Sequence, residues 1–170
     1  MNKRPLKKLD QYTLKRCKLF ADFSAETSSD EYAKRNQNNI EKIKLDIYRG
    51  KAAEFMVYNY LVNRGNKVNL PDLEIYSKNQ KSFDADLICG KHNIHVKSCV
   101  VNNKFPVSWM FQKKDHLTSG RSKDYVCLVV MNESFSGGFY IYQANQLDFK
   151  PPVKKALQAS KVTVYETDLA

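Results

Sequence analysis

Cysteine is scarce in this chain, and its four copies (Cys17, Cys89, Cys99 and Cys127) include no CxxC pair. With that spacing, zinc is not expected. Cys89, Cys99 and Cys127 sit inside apolar strand-like runs, where reduced, buried thiols are expected. Long apolar stretches are also missing. No run approaches the roughly 20 residues that span a bilayer, and the N-terminal MNKRPLKKLDQYTLKRCKLF has no apolar signal-peptide core. The expectation is an intracellular protein outside the membrane, cytoplasmic or nucleoid-associated. Neither an RNP-like aromatic strand nor a GXXG loop occurs, which argues against the common RNA-binding modules. Internal repeats and low-complexity tracts are absent. Acidic side chains are few: 18 Asp and Glu stand against 28 Lys and Arg, a net charge of +10. Such an excess calls for a polyanionic partner; nucleic acid and an anionic membrane surface both fit, and charge alone does not choose between them.

What is present is a foldable chain. Its 170 residues and 42% hydrophobic content are enough for one domain with a real core. Residues 1–39 read as a polar, irregular, basic arm, and residues 40–170 as the folded domain. In the arm, Lys3, Arg4, Lys7 and Lys8 are candidate phosphate contacts. From Ile40 to about Arg64, Ile40, Ile43, Ile47, Ala53, Val57, Tyr60 and Leu61 recur at helical spacing, with Gly50 a candidate break and Gly65 a stop. Strand-like segments follow at Leu73–Ser77, Phe83–Cys89, Asn93–Val101, Asp124–Asn132, Phe139–Gln143 and Lys161–Glu166. A short helix is predicted in VSWMFQKKDHL, and another between Gln146 and Ser160. The order gives an α/β (α+β) domain with a central mixed sheet flanked by helices.

The segment FDADLICGKHNIHVKS places charges where strands should be apolar. Residues two apart share a face of a strand, so Asp84 and Asp86 project together, as do His95 and Lys97. A turn at Lys91-His92 would set Asp86 opposite Lys97. Glu54 adds a carboxylate on the apolar stripe of the preceding helix, with Val57, Tyr58 and Leu61. One reading is a cross-strand ion pair worth at most about 1 kcal/mol. The other is a metal site built on hard oxygen ligands.

In these features the chain resembles the PD-(D/E)XK nuclease superfamily. GKAAEFMVYNYLVNRG matches the family's helix with Glu54 as its acid, FDADLICG its aspartate strand at Asp86, and IHVKS its acid-x-lysine strand at Lys97. His95 stands where the family carries Glu, Asp or Gln. The resemblance spans about Arg49 to Val130. It implies a restriction-endonuclease-like αβββαβ core and a metal-dependent endonuclease acting on double-stranded DNA. Mg²⁺ or Mn²⁺ would be held by Glu54 and Asp86, with Asp84 or His95 as the further ligand, and Lys97 would orient the attacking water. Gln112 falls where some relatives carry an active-site glutamine on the following helix. Lys113, Lys114, Arg121 and Lys123 flank that segment as candidate DNA contacts. A double-strand cut would call for a homodimer. The alternative is a DNA-binding protein on the same scaffold that has lost cleavage, for which His95 is the favouring feature.

Overall fold

A computed structural model of the chain describes residues 2–27, 33, 38–76 and 85–169. Two α-helices and seven strands are found among them: β1 (Arg4–Leu6), α1 (Gln11–Thr27), α2 (Ile40–Val62), β2 (Leu87–Cys89), β3 (His92–Val100), β4 (Ser108–Gln112), β5 (Tyr125–Met131), β6 (Gly137–Gln143) and β7 (Lys161–Tyr165). The main sheet runs β1-β6-β5-β3-β2, and β4 pairs with β7 in a separate ribbon. Only the β3–β5 pairing is parallel; β1–β6, β5–β6 and β2–β3 are antiparallel, which makes the sheet mixed. No described helix is long and apolar enough to cross a membrane.

The nearly continuous apolar run YVCLVVM becomes β5, the central strand, with both faces buried. Its alternate residues feed two cores. Cys127, Val129 and Met131 point toward Ala53, Met56 and Val57 of α2. Val126, Leu128 and Val130 point toward Trp109 and Phe111 of β4 and Val164 of β7. The molecule is therefore layered as helices, main sheet and ribbon, with one apolar core at each interface. Each fully buried large side chain contributes about 1.5–3 kcal/mol by leaving water. Trp109 is buried without a polar cost, because its Nε1–H donates to the Val129 carbonyl at 2.8 Å.

Several expectations need correction. The segment predicted as a helix after Pro106 is β4: Trp109 and Phe111 are buried while Met110 between them is half exposed, a period of two. Gln112 thus lies on a strand, opposite Lys161. Residues 73–76 form no strand, and the aspartate strand is limited to Leu87–Cys89. Ser77, Phe83 and Asp84 lie outside the described residues. Gly50 does not interrupt α2, which begins at Asn39, whose side chain accepts from the Lys42 N–H.

The segment read as irregular arm contributes β1, at the sheet's edge beside β6, and α1, packed on α2. Asp10 starts α1 by accepting from the Thr13 N–H at 2.8 Å. The buried stripe of α1 is Cys17, Ala21 and Ala25, at steps of four, whereas Tyr12, Leu19 and Phe23 are exposed. Small residues carry the contact, so the helix leaves little hydrophobic periodicity to read. Gly138 permits the approach of β1, since a Cβ there would meet the Arg4 carbonyl at 2.7 Å.

Candidate functional site

The β2–β3 hairpin turns at Gly90-Lys91, with Gly90 at φ +59°, and pairs Leu87 with Ile94 and Cys89 with His92. This register is displaced from the one expected for a turn at Lys91-His92. Continued by one residue, it sets Asp86 level with His95 rather than Lys97. Among the described residues pairing stops at Leu87, and β3 beyond that point has no strand partner on this side. Asp86 covers the beginning of this edge: its Oδ2 accepts from the Val96 N–H at 2.7 Å. The strand charge is thus fixed in place by the backbone group that would otherwise be unpaired.

Glu54 sits on α2 with only 9% of its surface exposed. Its Oε2 accepts from Lys51 Nζ at 2.6 Å, one helical turn away, and Lys51 in turn lies over the Phe20 ring of α1. Burial drives the Glu54 carboxyl up, Lys51 pulls it down, and the negative charges of Asp86 and Asp72 add to the rise, leaving it at about 8. The Glu54 and Asp86 carboxylates thus feel one another. The ammonium that Glu54 meets is that of Lys51, a partner the sequence reading did not identify although the i,i+3 spacing was visible.

Lys97 belongs to the opposite side of the sheet. It pairs in register with Leu128 of the ribbon-side core, and its Nζ lies 5.5 Å from the centre of the Phe111 ring. Asp86 holds the edge between this face and the α2 face. A cleft of about 460 Å³ lies farther along β3, lined by Ser98 and Val100, Met110 of β4 and Arg49 of α2, without Glu54, Asp86 or Lys97.

His95 is buried and turns elsewhere. Its Nε2 is 3.2 Å from Asp124 Oδ2, and His116 Nε2 is also 3.2 Å from that oxygen. The two imidazole rings meet edge to face, 5.2 Å between centres. Asp124 precedes β5, the parallel neighbour of β3, and His116 opens the 3-10 turn His116–Ser119 that follows β4. Partial burial pushes the Asp124 carboxyl up, but hydrogen bonds from His95 and His116 outweigh it and hold the group below its ordinary range. The three side chains offer ligand atoms all within 4.8 Å of one another, close enough to share a metal ion. His116 and Asp124 escaped the sequence reading. The available signal was an acid at the mouth of a buried strand, and nothing local ties it to a histidine 29 residues earlier.

Among the candidate DNA contacts, Lys7, Lys8, Lys113, Lys114, Arg121 and Lys123 are exposed. Lys3 pairs with Glu166 at 3.1 Å, and Arg4 lies in β1.

The raised Glu54 group makes a stability prediction. Its folded value lies above the unfolded one near 4.5, so the native state holds the extra proton. Its contribution is full below about pH 4.5 and is lost as pH rises through about 8. In EDTA, the melting temperature should fall between pH 6 and 9, and Glu54→Gln, which has no charge to bury, should flatten that fall. Identical pH profiles of the two proteins would show that Glu54 ionisation does not enter folding.

No family model, curated protein or solved structure matches the chain.

Proposed function

We propose that this chain is a metal-dependent endodeoxyribonuclease of the PD-(D/E)XK kind on a restriction-endonuclease-like core, with Glu54, Asp86 and Lys97 as its working residues. The observation that carries the reading is the buried Glu54 carboxyl, raised to about 8 and coupled to Asp86 at the point where β2 leaves β3. Two acids that feel one another's charge, one of them held above its ordinary range, are oxygen donors of the kind a hard divalent cation takes. Mg²⁺ or Mn²⁺ held by them would offset phosphoryl charge and acidify water.

The chain's own residues divide the remaining work. Asp86 is oriented by the Val96 N–H and keeps its second oxygen for other partners. Glu54 gives up a proton before it can act as a ligand, and Lys51 is the counter-ion of the carboxylate that forms. Lys97 would meet a phosphate from the ribbon side of the sheet. Lys113, Lys114, Arg121 and Lys123, in the connection between β4 and β5, provide sequence-independent backbone contacts to duplex DNA. A double-strand product would come from two copies.

One observation favours a second reading, a DNA-binding protein without cleavage. His95, in the position of the family's acid, is engaged with Asp124 instead of facing Asp86. Incubation with supercoiled plasmid and Mg²⁺, Mn²⁺ or EDTA separates the two. Nicked or linear product with metal alone supports the nuclease. Retardation without cleavage supports the second reading, and binding should weaken with log–log slope of about −0.9 per phosphate neutralised. Absence of binding at low salt would remove both.

A further inference from the structure

We propose that His95, His116 and Asp124 form a binding site for a borderline divalent transition ion of the Zn²⁺ class, separate from Glu54 and Asp86 and independent of the nuclease reading. Two imidazole nitrogens and one carboxylate oxygen are the donors such an ion prefers, whereas Mg²⁺ selects oxygen. A tetrahedral ion with bonds of about 2.0 Å sets its ligand atoms about 3.3 Å apart. Both histidine Nε2 atoms already stand 3.2 Å from Asp124 Oδ2, two edges of that tetrahedron. Three protein donors leave its fourth position for water or a substrate oxygen.

The surroundings are also those of a ligand set. Asp115 Oδ1 lies 3.4 Å from His116 Nδ1 and is itself fixed by the Leu117 N–H at 3.0 Å. With its proton on Nδ1, the nitrogen beside Asp115, His116 would present the Nε2 lone pair to an ion, as a ligating imidazole must. Asn93 Nδ2 reaches the other Asp124 oxygen at 3.4 Å, orienting the carboxylate. His95 is held by β3 and Asp124 by the start of β5, so two donors stand on the rigid sheet.

The third donor, His116, comes from the connection that carries Lys113, Lys114, Arg121 and Lys123. An ion at this site would fasten that basic segment to the sheet. Its occupancy would then set how rigidly those cations are presented.

Titration of the metal-free protein with Co²⁺ tests the assignment, since Co²⁺ reports a tetrahedral nitrogen–oxygen site by visible absorption. The expected result is saturation at one equivalent, bleaching by stoichiometric Zn²⁺ and no competition from millimolar Mg²⁺. His116→Ala and Asp124→Asn should each remove the absorption. His116 is exposed, so its loss leaves the fold intact, and a far-ultraviolet spectrum verifies this for both variants. The Glu54→Gln/Asp86→Asn protein should retain full absorption. Lack of a cobalt signal in the wild type, or its survival in both His116→Ala and Asp124→Asn, would overturn the site. Loss in Glu54→Gln/Asp86→Asn with retention in His116→Ala would move the ion to Glu54 and Asp86 and equally refute it.

Discussion

On the proposed nuclease reading, Asp86→Asn and Lys97→Met are each expected to lower plasmid cleavage by about 10²-fold or more while leaving retardation of duplex DNA nearly unchanged. That scale is the loss found when one contact made in the transition state is removed. Both substitutions isolate charge from packing. The amide oxygen that Asp86→Asn introduces can still accept from the Val96 N–H, so the sheet edge stays covered. Lys97→Met keeps an apolar stem against Phe111 and removes only the ammonium. Melting temperatures within a few degrees of wild type would exclude unfolding as the cause. Cleavage at wild-type rates by both variants would mean that the hairpin charges serve structure alone. The function would then have to be sought among the remaining polar groups.

Deletion of residues 1–18 should abolish cooperative folding, the largest stability effect expected here. The deletion removes β1, the edge partner of β6, and the first half of α1. With it go Leu6, Leu9 and Cys17, all buried in the core that α2 shares with the main sheet. At about 1.5–3 kcal/mol for a large apolar side chain, these losses approach the 5–15 kcal/mol by which a domain is stable. Thermal unfolding followed by circular dichroism should lose its sigmoidal transition. Were the segment only a basic arm on DNA, deletion would leave the transition in place and merely flatten the salt dependence of binding, because seven cations and one acid would be gone. An unchanged melting temperature would therefore refute the docking of β1 and α1.

Local pattern was enough wherever an element's own residues declare which side is buried. The run YVCLVVM can only be a strand covered on both faces, and it became β5. Ile43, Ala53, Val57 and Leu61 share one helical face, and α2 buries all four. Asn93–Val101, Phe139–Gln143 and Lys161–Glu166 emerged as β3, β6 and β7 within a residue or two at most ends. The apolar alternation in SWMFQ was equally legible, yet the place after Pro106, with Ser108 as a plausible cap, suggested a helix, and the pairing with β7 decided otherwise. The carboxylate on α2 was identifiable because a Glu on an apolar stripe is out of place. Its burial and its coupling to Asp86 required the packed structure.

The sequence by itself determined, then, a mixed α/β chain with a strong positive charge, no metal-binding cysteine pair, and unusual charges at Glu54, Asp86, His95 and Lys97. Tertiary structure decided how those charges are grouped. The Gly90-Lys91 turn sets Asp86 against the Val96 N–H, and the strand pleat sends Lys97 to the ribbon side. The parallel neighbour β5 brings Asp124 to His95 across 29 residues, and the turn after β4 adds His116. The physical reason is the range of the information. Periodicity along a strand or helix reports one element's buried face, whereas a site is a meeting of elements, fixed by register and crossover connections that no single stretch encodes.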